Sequence, residues 1–287
     1  MSARSLCAMS SRWKGQVMSD PLLSVTDLKT HFISKGVRLF SQEKVIKAVD
    51  NISFDIAPGE VLSLVGESGC GKTTVGRTLT QLERATSGQA LFNGQNILAL
   101  TSAQFRPLRR DIQMIFQDPF ASLNPRIRIE QTLGEPLFIH GLCQTWDEAR
   151  IKIATMLEAV GMDPTVMKRH PHEFSGGQRQ RIGIARVMIL RPKLVIADEA
   201  VSALDVSIQA QVLNLLKKLQ QESGVSMLFI SHDLGVVRHI SDRVAVMFEG
   251  KIVEIGNKKE IFGDPQHHYT RKLLDSIPKI TIRNEVA

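Results

Sequence analysis

Three stretches of this sequence carry residue types whose spacing suits phosphate chemistry. Gly66-Glu67-Ser68-Gly69-Cys70-Gly71-Lys72-Thr73-Thr74 fits the pattern G-x4-G-K-[ST]. Glycines let such a loop curl until its backbone N–H groups face phosphate oxygens, and a following helix N-terminus adds a positive field. Lys72 is then placed to reach the β- and γ-phosphates of a nucleotide, and the Thr73 hydroxyl to reach Mg2+. Leu194-Val195-Ile196-Ala197-Asp198-Glu199 reads as a buried strand that delivers two carboxylates to its carboxyl end, where open α/β sheets bind ligands. Asp198 is expected to hold Mg2+ through its water shell, and Glu199 to orient and deprotonate an attacking water. Alone, the pair is equally a couple of solvated acids; Lys72 upstream and Leu204-Asp205 downstream argue for the chemical role. In Phe174-Ser175-Gly176-Gly177-Gln178-Arg179-Gln180-Arg181, Ser175 is the expected N-cap of a helix running to about Leu190. Gly176 and Gly177 leave that helix end open to an anion. Two anion-receptive helix ends in one chain suggest that ATP is clasped from two sides.

The elements that must position these residues follow from the apolar pattern. Leu22–Phe32 and Ile46–Ile56 read as strands, the second ending in the alternation Ile52, Phe54, Ile56. Pro58-Gly59 turns the chain. Val61–Val65 is a short buried strand, and a helix is expected from about Thr73 to Leu82. Gln113–Phe116 is another short strand. The region 119–190 changes to helical patterning. Within it, Thr145 caps a helix with Glu148 reaching back. Ile153, Met156, Leu157 and Val160 share one face of that helix, and Gly161 ends it. Strands at Leu194–Ala197, Met227–Ile230 and Val244–Met247 then alternate with a helix bearing Ile208, Val212, Leu215, Leu216 and Leu219. Strands alternating with helices imply a mostly parallel sheet covered on both faces, with the helical block inserted between two of its strands.

Composition narrows the class. The 287 residues contain 43% apolar and 23% charged side chains, which suits one large domain or a domain plus a subdomain and argues against disorder. No stretch reaches the roughly 18–20 apolar residues of a membrane-spanning helix. Cys7, Cys70 and Cys143 are too dispersed for a disulfide framework or a metal cluster, which fits a reducing compartment. The formal charge of +7 fits nucleic acid, an anionic membrane or a phosphorylated ligand without choosing among them. Residues 1–17 lack the apolar core of a signal peptide. Either translation starts at Met18 or these residues form a tail; the disordered tail is expected to span residues 1–20.

Taken together, the motifs resemble those of the ATP-binding-cassette (ABC) ATPases. Ser175–Gln178 is similar to the family signature L-S-G-G-Q, with Phe174 in place of Leu, and the resemblance covers about Leu22 to Leu274 with every motif in family order. It implies an α/β P-loop NTPase cassette: a mostly parallel sheet core, an antiparallel β subdomain and an inserted helical subdomain at about 119–190. The cassette is expected over 21–262 and a distinct tail over 263–287. The resemblance implies that Gln117 touches Mg2+ and senses a membrane partner, that Asp205 makes a dimer-contact turn, and that His232 meets the γ-phosphate. It makes Phe32 the aromatic that stacks on adenine, with Val45–Val49 packing nearby. Ala200 stands where the family usually has Pro, which is expected to loosen the turn leaving Glu199.

Gln117–Arg126 and Phe262–Leu274 resemble segments of oligopeptide, dipeptide and glutathione importer ATPases, although His268 replaces the usual Pro. Some relatives carry a C-terminal cysteine cluster; with no Cys after Cys143, no iron–sulfur site is expected here. The resemblance implies an ATPase, using ATP and Mg2+, on the cytoplasmic face of the inner membrane. Its implied partners are two permease subunits, a second cassette in a head-to-tail dimer and a solute-binding protein outside the membrane, with no nucleic acid. The alternatives are an importer subunit for another solute such as nickel or a sugar, an export subunit, or a soluble ABC ATPase acting on nucleic acid. The solute, and whether the second cassette is a copy or a paralogue, stay open.

Overall fold

The computed structural model describes residues 20–34, 44–118 and 122–276. The expected leading tail through residue 19, Pro119–Ala121 of the 117–126 segment, and the tail beyond residue 276 lie outside the described residues.

The chain opens with β1 (Leu23–Ser34) and β2 (Lys44–Ile56), an antiparallel pair in which Phe32 faces Ile46. β3 (Val61–Val65) leads into α1 (Lys72–Leu79). β4 (Ser87–Phe92) and β5 (Gln95–Asn96) follow, then α2 (Ser102–Phe105) and β6 (Ile112–Ile115). Among the described residues, the α-helices α3 (Ile129–Ile139), α4 (Trp146–Ala159) and α5 (Gly176–Met188) come next. The last part alternates β7 (Leu194–Asp198), α6 (Val206–Ser223), β8 (Ser226–Ser231), α7 (Leu234–Ile240) and β9 (Arg243–Phe248). It closes with β10 (Lys251–Asn257), α8 (Lys258–Gly263) and α9 (His268–Asp275).

Two sheets result. One is antiparallel in the order β2-β1-β4-β5; the other has the order β10-β9-β3-β8-β7-β6. In the second, β9, β3, β8, β7 and β6 run parallel and only β10 is antiparallel to its neighbour. β3, β7 and β8 are buried along their whole length, as strands covered on both faces must be. Their alternate residues enter two different cores. Leu62, Leu64, Leu228 and Ile230 pack with Val75 and Leu79 of α1 and with the antiparallel sheet. Val61, Val65, Met227 and Phe229 pack with Val212 and Leu216 of α6. That second core continues without a break into the helical block, through Ile129, Leu133, Ile153, Leu157 and Ile182. Period-two alternation in three short strands thus ties the antiparallel sheet, the parallel sheet and the helices together.

Some local expectations shift. α1 ends at Leu79 rather than Leu82, because Gln81 takes a positive φ of 55° and its Nε2 donates to the carbonyls of Ile97 and Leu100. Thr145 caps α4 by accepting from the Glu148 N–H, but the Glu148 carboxylate accepts from Gln144 N–H, one residue before the cap. The strands β4, β5 and β10 are additions to the expected elements; they are short or half-exposed, and carry weak periodicity. Among the described residues, no helix is long and apolar enough to cross a membrane.

Candidate active site

Parallel strands end at the same edge of their sheet. β3, β6, β7 and β8 therefore bring the residues that follow them to one place: the loop from Gly66, then Gln117, then Asp198-Glu199, then His232. The phosphate-type loop is the innermost part. Gly71 has φ of +108°, and a Cβ there would lie 2.0 Å from the Ala48 carbonyl oxygen; a Cβ on Gly66 would lie 2.1 Å from that of Met247. Only glycine fits these two positions. β2 and the β9–β10 hairpin press the loop from behind, and the Gly250 N–H donates to the Cys70 carbonyl at 3.0 Å.

Lys72 is 4% exposed, and its Nζ donates to the Gly66 and Glu67 carbonyls at 2.8 and 2.9 Å. An ammonium has three N–H donors, and the third is met by a thiol sulfur, a weak acceptor that a stronger one could displace. Cys70 Sγ lies 3.8 Å from that ammonium, yet burial pushes its thiol above the ordinary value. Beside the loop, the Thr73 hydroxyl donates to Asp198 Oδ1 at 3.0 Å. Burial pushes the Asp198 carboxyl up, against the Thr73 hydrogen bond and with the help of the nearby Glu199 charge. A hydroxyl and a desolvated carboxylate side by side form an oxygen donor set that suits a hard divalent cation such as Mg2+.

Glu199 follows at the strand end with φ of +45° and its N–H on the Ile230 carbonyl at 2.9 Å. Both its carboxylate oxygens are held: Gln117 Nε2 donates to Oε2 at 2.8 Å, and His232 Nδ1 lies 3.1 Å from Oε1. The turn leaving Glu199 through Ala200 is hydrogen-bonded. The Ser202 N–H and hydroxyl both bond the Glu199 carbonyl, at 3.1 and 3.0 Å, and Ala200 and Val201 are buried.

Ser175–Gln178 lie apart from this cluster. Ser175 caps α5 in a reciprocal box: its Oγ accepts from the Gln178 N–H at 3.4 Å, and Gln178 Oε1 accepts from the Ser175 N–H at 3.0 Å. The open cleft beside this helix end is lined by Gly161, Asp163, Arg181 and Ile208, and by no residue of the 66–74 loop. α5 runs from there toward the beginning of β7, the opposite end of that strand from Asp198. Asp205 precedes α6, exposed and with no side-chain capping bond. Phe32 is 38% exposed in β1, opposite Ile46 and two residues in register from Ala48, whose carbonyl abuts Gly71. The expected residues thus fall into two groups: an assembled edge, with Phe32 at its flank, and a detached helix end.

The tail supplies a contact that motif reading missed. The Tyr269 hydroxyl accepts from the Glu67 N–H at 3.1 Å, inside the phosphate-type loop. The signal present in the sequence was an isolated Tyr in Phe262–Leu274; nothing local indicated what it would touch.

The family model described as ABC transporter matches residues 49–202. The chain belongs to the ABC transporter family. A second model, oligopeptide/dipeptide transporter C-terminal region, matches residues 253–287 of this ABC cassette. The cassette is 54% identical over 260 residues to a glutathione import ATP-binding protein of Pectobacterium atrosepticum, and 53% identical over 265 residues to that of Escherichia coli K12. Those matches cover 91% and 92% of the chain, which spans 42% of the length of either relative. Among solved structures, it is similar to a post-hydrolysis dimer of the ATP-binding cassette MJ0796 bound to ADP and phosphate: 25% identity, TM-score 0.73, covering 82% of this chain and 98% of that one. It is also similar to cbiO1 of Clostridium perfringens, part of an ABC transporter complex: 28% identity, TM-score 0.73, covering 91% and 98%.

Proposed function

We propose that this cassette is the ATP-hydrolysing subunit of an importer for peptides of the di- and oligopeptide or glutathione class. The observation that carries the ATPase reading is the Glu199 carboxylate, fixed between Gln117 and His232 beside the Thr73–Asp198 pair and Lys72. In this reading, backbone N–H groups of Gly66–Thr74 cradle the phosphates and the third Lys72 donor meets the β/γ oxygens. Thr73, Asp198 and Gln117 hold Mg2+, which supplies neutralisation of the phosphate charge when bound. Glu199 takes a proton from the attacking water, and His232 meets the γ-phosphate. Phe32 stacks on adenine.

Ser175, Gly176, Gly177 and Gln178 complete the site of a second cassette, with Asp205 at the contact between the two. A head-to-tail pair is supported by the separation of these residues from the edge cluster. ATP drives closure of such a pair only through tighter binding to the closed state. Residues 21–262 are the cassette, with helices at 119–190 as its inserted part, and 263–287 the importer-type tail. Two permease subunits and an external solute-binding protein complete the machine at the cytoplasmic membrane face. The match at 253–287 and the glutathione import relatives support the solute class. The test is uptake of labelled glutathione and di- to hexapeptides by a deletion strain carrying wild-type chain or Glu199→Gln. Restored uptake by wild type alone is expected. Normal peptide uptake in the deletion strain, with loss of nickel or sugar uptake, would transfer the assignment to another solute.

A further inference from the structure

Helix α9 reaches the phosphate-type loop through one side chain. Tyr269 is 4% exposed, its ring lies 4.3 Å from that of Phe248 at the end of β9, and its hydroxyl accepts the Glu67 N–H. The approach to α9 is fixed from β10. The Glu254 carboxylate accepts from the N–H groups of Gln266 and His267, at 2.8 and 3.1 Å, and His267 Nδ1 accepts from the Tyr269 N–H at 3.2 Å. Burial raises the Tyr269 phenol above its ordinary value, so it stays a neutral hydroxyl at physiological pH.

The bonded N–H belongs to the peptide unit between Gly66 and Glu67. The carbonyl of that same unit, Gly66 O, accepts the Lys72 ammonium at 2.8 Å. A trans peptide is planar, with N–H and C=O pointing in opposite directions. The phenol on one side therefore sets the direction of the carbonyl on the other. Gly66, without a Cβ, gives this unit the freedom to rotate, so an external restraint matters here. We propose that Tyr269 is a positioning residue for nucleotide binding: it pins the Gly66–Glu67 peptide so that the Lys72 ammonium is held ready for the phosphates. This rests on the reading of Gly66–Thr74 as the phosphate loop. It also gives the importer-type tail a physical task within the cassette.

The test is Tyr269→Phe, which keeps the ring against Phe248 and removes only the oxygen. The Kd for Mg-ATP should rise about three- to tenfold, the range of one neutral hydrogen bond. The kcat at saturating ATP should stay within about twofold, because bound phosphate oxygens then orient the ammonium themselves. Amide hydrogen exchange at Glu67 should accelerate while exchange along β3 is unchanged, a split that loss of overall stability does not give. Glu254→Ala, which frees the approach to α9, should show the same pattern more weakly. Lys72→Ala runs alongside. Lost ATP binding in Lys72→Ala with an unchanged Kd in Tyr269→Phe overturns the positioning role alone. Retained ATP binding in Lys72→Ala overturns the phosphate-loop reading and the positioning role with it. A fall in Tm and in Glu67 and β3 protection together, with kcat and Kd both changed, marks a merely structural residue and also overturns the proposal.

Discussion

The sheet edge and the start of α5, the two regions proposed here to meet phosphate oxygens, are finished to different degrees. At the edge, polar groups have partners within the chain: Lys72 on two loop carbonyls, Thr73 on Asp198, Glu199 between Gln117 and His232. At the start of α5, the side chains of Ser175 and Gln178 cap each other's backbone N–H groups, beside a cleft open to solvent. The edge is preorganised because four parallel strands end there and bury their apolar faces in two cores. The difference teaches that one chain brings distant side chains together at a sheet edge, while a capped helix end is complete within four residues.

Four perturbations break or sharpen that comparison. The largest effect belongs to Glu199→Gln, which keeps the Gln117 and His232 contacts possible but removes the base. ATP hydrolysis should fall by about 10²–10⁴-fold while ATP stays bound. Turnover near the wild-type rate in a phosphate-release assay would remove Glu199 from the base role. Next is Lys72→Ala, which deletes a charged donor from a buried loop and leaves the Gly66 and Glu67 carbonyls unpaired. Its ATP affinity should drop by at least about thirtyfold, or ~2 kcal/mol; calorimetric titration showing a change of less than twofold would contradict the assignment.

Ser175→Arg probes the other region. A bulky cation at the open helix end should leave ATP affinity of the single cassette within about twofold. It should lower hydrolysis at least tenfold under conditions where two cassettes pair. Equal loss of ATP affinity would mean that Ser175 belongs to the same site as Lys72, and the separation of the two regions would fail.

The smallest effect is on stability. Burial raises Asp198 in the fold above its ordinary value of 3.8. The folded chain then binds this proton more tightly than the unfolded chain, so stability is lost as pH rises through the interval from 3.8 to the raised value. Asp198→Asn removes that loss, and its Oδ1 still accepts from Thr73. In Mg-free buffer at neutral pH, its Tm should exceed that of wild type. That gap should close toward pH 4. A variant less stable than wild type at neutral pH would show that the carboxylate is structural rather than held in reserve for a cation.

The legibility of the site followed the range of the interactions. Gly66–Thr74 and Ser175–Gln178 were readable because loop curling and helix capping involve neighbours within a few residues, so spacing alone encodes them. Buried strands such as Val61–Val65 and Leu194–Asp198 were readable from unbroken apolar runs. Gln117 and His232 carry no local signal, and only family order suggested them. Their convergence on Glu199 spans 82 and 33 residues of sequence. The end of α1 was misplaced because the side chain of Gln81 finds carbonyls 16 and 19 residues away.

By itself, the sequence determined which residues could do phosphate chemistry and that parallel strands would carry them, since side-chain type, glycine freedom and apolar period are properties of the local chain. Tertiary structure alone decided the strand order β3-β8-β7-β6, which sets Lys72, His232, Glu199 and Gln117 along one edge. It alone decided that Glu199 takes a positive φ above a closed turn, that Tyr269 reaches back 202 residues to Glu67, and that Ser175 lies apart. The physical reason is that strand neighbours and tail docking are chosen by how apolar faces from distant segments share two cores. No window of residues along the chain contains that choice.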